Sequence, residues 1–206
     1  MRIKICGLTR PEDAVAAEAA GADALGLIFA ERSKRYVTPD RAKEISDAVG
    51  PFVTRVGVFV DAPLDTVREA VGTVRLDAVQ LHGSEDDDYM VALRPEVRVI
   101  KALSFTPGLT PEVLDALPVD GVLLDGLVPG SGSSFDWSQA VALRGLPNLI
   151  LAGGLDAANV AAGIRALRPY GVDVASGVEA APGVKHAEKM RAFVRAARAA
   201  ELSTTP

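Results

Sequence analysis

The sequence predicts a single (β/α)8 barrel over residues 1–206, and three observations support that fold class. Short apolar runs alternate with Ala-rich segments of helical period, and we count eight such pairs. The runs recur at roughly 20 to 30 residues, the spacing of a strand followed by a crossover helix and a parallel neighbour. The length of 206 residues lies at the lower limit of this fold, which leaves no room for a second domain.

The apolar runs locate the predicted strands. They begin near Arg2, Ala24, Thr54, Asp77, Val97, Gly121, Asn148 and Gly171. The rival architecture is a doubly wound open sheet, which usually has fewer strands and needs a Gly-rich phosphate loop after its first strand. Residues 6–9 read Cys-Gly-Leu-Thr at that position, so the closed barrel is the favoured fold.

Capping residues and prolines predict where the helices begin and end. The predicted starts are Thr9 with Pro11 and Glu12, Thr38 with Pro39, Ser84 with Glu85, and Asp156. Gly21 and Gly50 stand where the first two helices should stop. The fifth helix should be short, because prolines and a glycine at 107, 108 and 111 leave a periodic piece only over residues 112–117.

Composition excludes several classes of protein. A net charge of −5 with 5% aromatic residues gives no footprint for nucleic acid, while small anionic substrates need only a local basic patch. No apolar stretch approaches the roughly 18 to 20 residues of a membrane span, and Gly7 interrupts the start before a signal peptide develops. One cysteine and two histidines make neither a disulfide nor a Cys-rich zinc site. We therefore expect a cytoplasmic protein.

The first strand should carry Cys6 to the catalytic end of the barrel. Alternation places Arg2, Lys4 and Cys6 on one face, with Ile3 and Ile5 on the other face toward the outer helices. A free thiol is often a buried small hydrophobe, but a nearby cation lowers its pKa and makes it a base or nucleophile. Lys4, two residues away on the same face, is the candidate cation.

The sixth strand ends in a carboxylate, Asp125. Such a residue either caps the following turn or supplies an acid at the barrel rim. Residues 126–134 are rich in glycine and serine, which predicts a lid over the site or a plain connector. The glycines at 130 and 132 lack a third at Phe135, so we read no nicotinamide site here.

The last two units end in glycines. Gly154 follows the seventh strand, and Ser176 and Gly177 follow the eighth. Turns at these positions let backbone N–H groups approach an oxyanion, and barrels often bind phosphate there beside a short extra helix. The pair predicts a phosphate monoester as the ligand's anionic group.

Two further side chains belong to the candidate site. Arg35 lies in a charged loop after the second strand, where it is either solvated or placed to bind a carboxylate through two hydrogen bonds. His82 ends the fourth strand on the same side as Gln80, and a structural role is as compatible with this position as a role in the site. We include both in the predicted substrate-binding set.

Taken together, these segments resemble the phosphoribosylanthranilate isomerase family. The resemblance covers nearly the whole chain in order, and its most specific parts are the Cys-Gly-Leu-Thr, Gln-Leu-His-Gly and Ser-Gly-Val-Glu segments. The matching stretches are KICGLTR (4–10), GADALGLIF (21–29), SKRYVTP (33–39), VGVFVD (56–61), VQLHGSE (79–85), SGSSFDW (131–137), LAGGL (151–155) and VDVASGVEAAPGVKHAEKM (172–190).

The resemblance implies a metal-free and cofactor-free Amadori rearrangement of N-(5′-phosphoribosyl)anthranilate in tryptophan biosynthesis. By position, Cys6 matches the family's general base, Asp125 its general acid and Arg35 the group that holds the anthranilate carboxylate. Gly154, Ser176 and Gly177 match the phosphate-binding turns. The implied partner is a small phosphosugar, and the oligomeric state is open between monomer and homodimer.

Two other readings stay open at this point. One is another phosphosugar isomerase or epimerase barrel, although such enzymes favour a carboxylate base or a metal held by histidines and acids. The other is a barrel that binds a phosphorylated ligand without turning it over. The chain also departs from the family's usual pattern in the loop Pro-Gly-Ser-Gly-Ser-Ser and at Lys185-His186.

Overall fold

The computed structural model describes residues 1–126 and 136–203. Eight parallel strands form a closed barrel in chain order, and β8 pairs with β1 to close it. The strands are β1 (Arg2–Cys6), β2 (Ala24–Ile28), β3 (Thr54–Phe59), β4 (Ala78–Leu81), β5 (Arg98–Ser104), β6 (Gly121–Asp125), β7 (Leu149–Leu151) and β8 (Gly171–Val174). The predicted fold class is confirmed.

Helices cover the outside of the barrel. They are α1 (Pro11–Ala20), α2 (Pro39–Asp47), α3 (Leu64–Val74), α4 (Asp87–Leu93), α5 (Pro111–Asp115), α6 (Val160–Leu167) and α7 (Ala187–Leu202), with 3-10 turns at Trp137–Leu143 and Ser176–Val178. The fifth helix is short, as predicted. Within the described residues, none of these helices has the length and apolar character needed to cross a bilayer.

Of the predicted N-terminal caps of α1 and α2, the cap of α2 is confirmed and the cap of α1 is wrong. Thr38 caps α2, and its hydroxyl accepts the Arg41 N–H at 3.3 Å. Helix α1 begins at Pro11 as predicted, but Thr9 does not cap it. The Thr9 hydroxyl instead donates to the carbonyl of Gly183 at 2.5 Å, because a partner from the far end of the chain lies against this loop.

The other two predicted starts are wrong by a few residues. Asp86 caps α4 in place of Ser84, and it accepts the Tyr89 N–H at 2.9 Å. Asp156 caps a turn that precedes α6, since its carboxylate accepts the N–H groups of the two residues before the helix. A carboxylate satisfies whichever free N–H groups lie nearest, and a turn offers them as readily as a helix.

The predicted helix ends differ in accuracy. Gly21 ends α1 with φ +93°, a left-handed conformation that favours glycine. Helix α2 already ends at Asp47, three residues before Gly50. Gly50 instead donates its N–H to the Glu18 carboxylate.

The core has two layers, and alternation along the strands separates them. Ile3 and Ile5 are fully buried in the large outer layer beneath the helices. A smaller apolar layer fills the barrel interior, formed by Ala102, Leu123 and Ala152 with Ile100 and Ile150 packed against them. The predicted faces of β1 are therefore confirmed, because Lys4 points into the barrel with its ammonium bonded to side chains of β4 and β8.

A repeated aspartate fixes the other end of the barrel. Each of three aspartates precedes an even-numbered strand, and its carboxylate accepts the N–H of the second residue of the odd-numbered strand before it. The same aspartate donates its own N–H to the carbonyl of that residue. The side-chain bonds are Asp23 to Ile3 at 2.8 Å, Asp77 to Arg55 at 2.7 Å and Asp120 to Val99 at 2.8 Å.

Replacing Asp120 tests this repeat. Asp120→Ala leaves the buried Val99 N–H without its acceptor, so we expect a loss of about 1–3 kcal/mol in the free energy of unfolding, measured by urea denaturation. Asp120→Asn keeps an acceptor and is the matched control, which should lose less. Equal losses in the two variants would contradict the hydrogen-bonding role.

The stability deficit of Asp120→Ala should also depend on pH. Burial acts against ionisation of Asp120, but the Val99 N–H and the Arg98 guanidinium lower the pKa of this carboxyl overall. A lowered folded-state pKa stabilises the fold above the unfolded value of about 3.9, and this contribution is lost as pH falls through the folded value. The difference between wild type and variant should therefore shrink in acid.

Candidate active site

Cys6 lies at the carboxyl end of β1 above a buried ion pair. Its Sγ packs against Gly26 of β2 so closely that a Cβ at Gly26 would lie 2.5 Å from the sulfur. Two residues earlier, the Lys4 ammonium is 2.9 Å from Asp173 Oδ1 and 3.0 Å from Gln80 Oε1. All of these side chains are buried. The thiol therefore lies in a confined space with charged groups directly beneath it.

The charges around Cys6 oppose one another. Burial raises the pKa of the Cys6 thiol, and Asp173 raises it further, while Lys4 and Lys185 act in the lowering direction. The pKa is raised overall. Lys4 thus acts on the thiol in the predicted direction, but the expectation of a net lowering is wrong because burial outweighs both cations.

Asp125 ends β6 and is almost fully buried. Burial raises the pKa of this carboxyl, while the hydrogen bond from the Gly126 N–H to Oδ1 at 2.7 Å opposes that shift. Gly153 lies directly against it with φ +84°, and a Cβ at Gly153 would lie 2.9 Å from Oδ1 and 2.4 Å from the Gly126 nitrogen. Only glycine fits beside this carboxyl group, and the net effect of its surroundings is to raise its pKa.

His82 faces Asp125 across the mouth of the barrel. Its Nε2 is 3.6 Å from Asp125 Oδ2, beyond hydrogen-bond distance, and has no partner among the described residues although the atom is buried. Burial lowers the pKa of His82, with the Asp125 charge acting the other way. The imidazole is therefore neutral at physiological pH, with one polar atom available to a ligand or to Asp125.

Glu85 holds the loop that carries His82. Its carboxylate accepts the Gly83 N–H at 3.0 Å and the Asp61 N–H at 2.9 Å, and it pairs with the buried Lys101 ammonium at 2.7 Å. Lys101 also donates to the Gly83 carbonyl at 2.7 Å. This explains why Glu85 does not open α4, since its side chain is committed to the loop.

Arg35 reaches the rim by passing over Gly7. A Cβ at Gly7 would lie 2.3 Å from Arg35 Cδ, and Gly7 has φ +75°. The guanidinium makes two bonds to Glu179, with Nε to Oε1 at 2.7 Å and Nη2 to Oε2 at 2.8 Å. The structure places Arg35 over Gly7, the neighbour of Cys6, and its two-bond partner is a carboxylate of this chain.

The loops after β7 and β8 touch one another, as predicted. A Cβ at Gly177 would lie 2.0 Å from the carbonyl oxygen of Leu155, so these backbones meet without room for a side chain. Gly154 has φ +60°, and its carbonyl accepts from the Asn159 amide at 2.8 Å. Ser176 begins the short 3-10 turn that follows β8. The two loops therefore lie together at the end of the barrel where this fold often binds phosphate.

A small hairpin after β8 was not foreseen from the sequence. It consists of β9 (Glu179–Ala181) and β10 (Val184–Lys185), which turn at Gly183 with φ +80°. The Lys185 ammonium is 3.0 Å from Glu179 Oε1 and 3.0 Å from the Ala175 carbonyl. The Ala-Pro-Gly stretch at 181–183 is the one sequence signal for this turn.

Two predictions concern other parts of the site. The predicted lid at 126–134 lies outside the described residues except for Gly126. In the described ranges, no cluster of three or more His, Cys, Asp or Glu side chains is arranged to hold a metal ion.

Fold and site together define a (β/α)8-barrel enzyme, with a buried thiol, a buried carboxyl and two glycine-containing loops in contact at one mouth. A profile of N-(5′-phosphoribosyl)anthranilate (PRA) isomerase matches residues 3–196. The PRA isomerase of Geobacter sp. strain M21 is 48% identical over 204 residues, covering 96% of this chain and 98% of the relative.

Solved structures of PRA isomerases are also similar to this chain. The isomerase of Thermus thermophilus is 45% identical and covers 97% of this chain and 99% of its own, with a TM-score of 0.89. Another PRA isomerase, solved with reduced 1-(o-carboxyphenylamino)-1-deoxyribulose 5-phosphate, is 37% identical with a TM-score of 0.86 and covers 97% of this chain and 99% of its own. The chain belongs to the N-(5′-phosphoribosyl)anthranilate isomerase family. It is an isomerase of tryptophan biosynthesis.

Lys4→Met tests the influence of the buried cation on the thiol. We expect the pKa of Cys6 to rise by about one pH unit or more, since the variant removes a cation and leaves Asp173 unpaired. The ultraviolet absorbance of the thiolate reports only Cys6, because the chain has one cysteine. Lys43→Met, on the exposed side of α2, is the control. An unchanged titration in Lys4→Met would show that Lys4 does not influence the pKa of Cys6.

Proposed function

We propose that Cys6 and Asp125 are the general base and general acid of this isomerase, acting on N-(5′-phosphoribosyl)anthranilate. The observation that carries the proposal is the placement of the chain's one thiol and a buried carboxyl at the same mouth of the barrel, where burial also raises the pKa of Asp125. An acid that keeps its proton near neutral pH and a base that faces the same ligand are the two groups an aldose-to-ketose rearrangement needs.

The first step is acid catalysis by Asp125. Its carboxyl proton passes to the ribose ring oxygen as the bond between that oxygen and C1′ breaks. The anthranilate nitrogen supplies the electron pair that forms the N=C1′ iminium. Burial raises the pKa of this carboxyl and so favours its acid form beforehand, and the neutral His82 faces the Asp125 carboxylate that results.

The second step is removal of the C2′ proton by Cys6. The iminium draws the electrons of the C2′–H bond toward N and C1′, so that an enolamine forms. Its positive charge also favours the thiolate, which offsets the burial that raises the pKa of Cys6. Transfer of a proton to C1′ and loss of the enol proton then give the 2′-ketone, so that no atoms are gained or lost overall.

Substrate binding follows the predicted set. Arg35 binds the anthranilate carboxylate, and Gly154, Ser176 and Gly177 bind the phosphate through backbone N–H groups. His82 contacts the ribose between them. Residues 1–206 act as one barrel domain, and a reducing cytoplasm suits an enzyme that depends on a free thiol.

Activity of two variants tests the acid and base roles. We expect Cys6→Ala and Asp125→Asn each to lower kcat/KM by about 10²–10⁴-fold, the usual contribution of a positioned acid or base. The assay follows the fluorescence decay of freshly generated N-(5′-phosphoribosyl)anthranilate under metal chelation. Asp115→Asn, exposed at the end of α5, is the control. Near-normal turnover by either site variant would refute its assigned role.

We further propose that the chain forms a homodimer through the opposite mouth of the barrel. An open cavity of about 760 Å³ lies there, with apolar walls that include Val56, Ile100 and Ile150. Phe52 stands on its rim with 96% of its surface exposed. A face that carries both a protruding aromatic ring and a cavity is self-complementary, as a two-fold interface requires. The Thermotoga maritima relative, 37% identical, is dimeric.

Phe52→Asp tests this interface. The wild type should sediment as a dimer at micromolar concentration and the variant as a monomer, because a buried aspartate without a partner opposes association. Val91→Asp, on an exposed face of α4, should leave the mass unchanged. A monomeric wild type, or a dimeric Phe52→Asp, would exclude this mode of association.

A further inference from the structure

Two of the five N–H donors of the Arg35 guanidinium already bind a carboxylate of this chain. Its Nε–H and one Nη2–H are directed at the two oxygens of Glu179, at 2.7 and 2.8 Å. An arginine carries five N–H donors in a fixed plane. The three that Glu179 does not engage are the two on Nη1 and the second on Nη2, and they form the outer end of the fork.

Glu179 is itself held too firmly to be displaced. Its Oε1 also accepts the Lys185 ammonium at 3.0 Å and the Gly183 N–H at 3.1 Å, and its side chain is almost fully buried. Its carbonyl accepts the Lys189 ammonium at 2.7 Å. If Glu179 moved away, the wholly buried Lys185 cation would lose its carboxylate partner, which is costly. An incoming carboxylate therefore does not exchange places with it.

Glu179 also belongs to a rigid unit. The hairpin of β9 and β10 is tied to the first loop by the bond from Thr9 to Gly183, and to α1 by the bond from the Lys185 N–H to Asp13 at 3.0 Å. The carboxylate that orients Arg35 is thus fixed relative to β1, whose last residue is Cys6.

We propose that Glu179 is a positioning residue for substrate recognition, which fixes the plane of Arg35 so that its outer Nη1–Nη2 edge binds the aryl carboxylate. This inference rests on the proposed role of Arg35. In this arrangement the carboxylate of the substrate and that of Glu179 lie on two adjacent edges of one guanidinium. The aromatic ring is thereby held at a set distance from Cys6.

Glu179→Gln tests the proposal, since it keeps one acceptor oxygen but loses the second acceptor and the charge. We expect KM for N-(5′-phosphoribosyl)anthranilate to rise about tenfold with kcat changed by less than about threefold, because the loss is in binding through a charge-assisted bidentate pair. Glu188→Gln, in the exposed pair with Arg191, is the matched control and should leave both constants unchanged.

Two ligands separate positioning from general damage to the fold. The first is reduced 1-(o-carboxyphenylamino)-1-deoxyribulose 5-phosphate, and the second is its anilino counterpart, which lacks the carboxylate. Glu179→Gln should weaken binding of the first about tenfold and leave the second unchanged, by calorimetry. Equal weakening of both, or of neither, would overturn the proposal. If Glu179→Gln does not fold, Glu179→Asp keeps the charge, shortens the reach to Arg35 and should show the same selective loss.

Arg35→Met distinguishes this inference from the function on which it rests. If Arg35→Met abolishes the preference for the carboxylated ligand and Glu179→Gln does not reduce it, the positioning role is wrong and the role of Arg35 stands. If Arg35→Met keeps the preference, the carboxylate is bound elsewhere and both proposals are refuted. Loss of the preference in both variants is the expected result.

Discussion

The active site depends on the seam where the barrel closes. Strand β8 pairs with β1 in a register that sets Lys4 directly opposite Asp173, and the two form a buried ion pair inside the barrel. A buried pair of this kind contributes less to stability than to specificity, because a shifted register would leave two unpaired charges in the interior. Two residues beyond Lys4 is Cys6, and three beyond Asp173 is Ser176. The seam thus brings the thiol of Cys6 and the turn that begins at Ser176 to the same rim.

Most charged side chains at this mouth have a partner of opposite charge within the chain. Lys4 pairs with Asp173, Lys101 with Glu85, and both Arg35 and Lys185 with Glu179. Cys6 and Asp125 have no such partner of opposite charge among these pairs, and burial raises the pKa of both. The substrate carries a phosphate and a carboxylate, and it develops a positive charge at its nitrogen during the reaction. That positive charge favours the thiolate form of Cys6. In the mechanism that we propose, the thiol acts as a base beside this cation.

The sequence was informative wherever a local pattern controls the structure. Alternation along β1 correctly placed Lys4 inside the barrel, and the strand ends correctly placed Cys6 and Asp125 at one rim. The glycines at 154 and 177 correctly indicated two loops in contact. These features depend on the period of a strand and on the fixed direction of parallel strands, which a single sequence reveals.

What the sequence did not reveal depends on distant partners. Arg35 and Glu179 are 144 positions apart, and no local pattern relates them. The Thr9 cap was wrong because the hydroxyl finds Gly183 across the fold. The net direction of the Cys6 pKa shift was wrong for a similar reason, because burial is a property of the whole packed barrel, whereas the nearby Lys4 is visible in the sequence.

The most direct test of this account is a crystal structure of the chain with reduced 1-(o-carboxyphenylamino)-1-deoxyribulose 5-phosphate bound. We expect the phosphate at the backbone of Gly154, Ser176 and Gly177, the aryl carboxylate at Arg35, and C2′ within contact distance of the Cys6 sulfur. A ligand bound with its phosphate away from those two loops, or with C2′ turned away from Cys6, would contradict it.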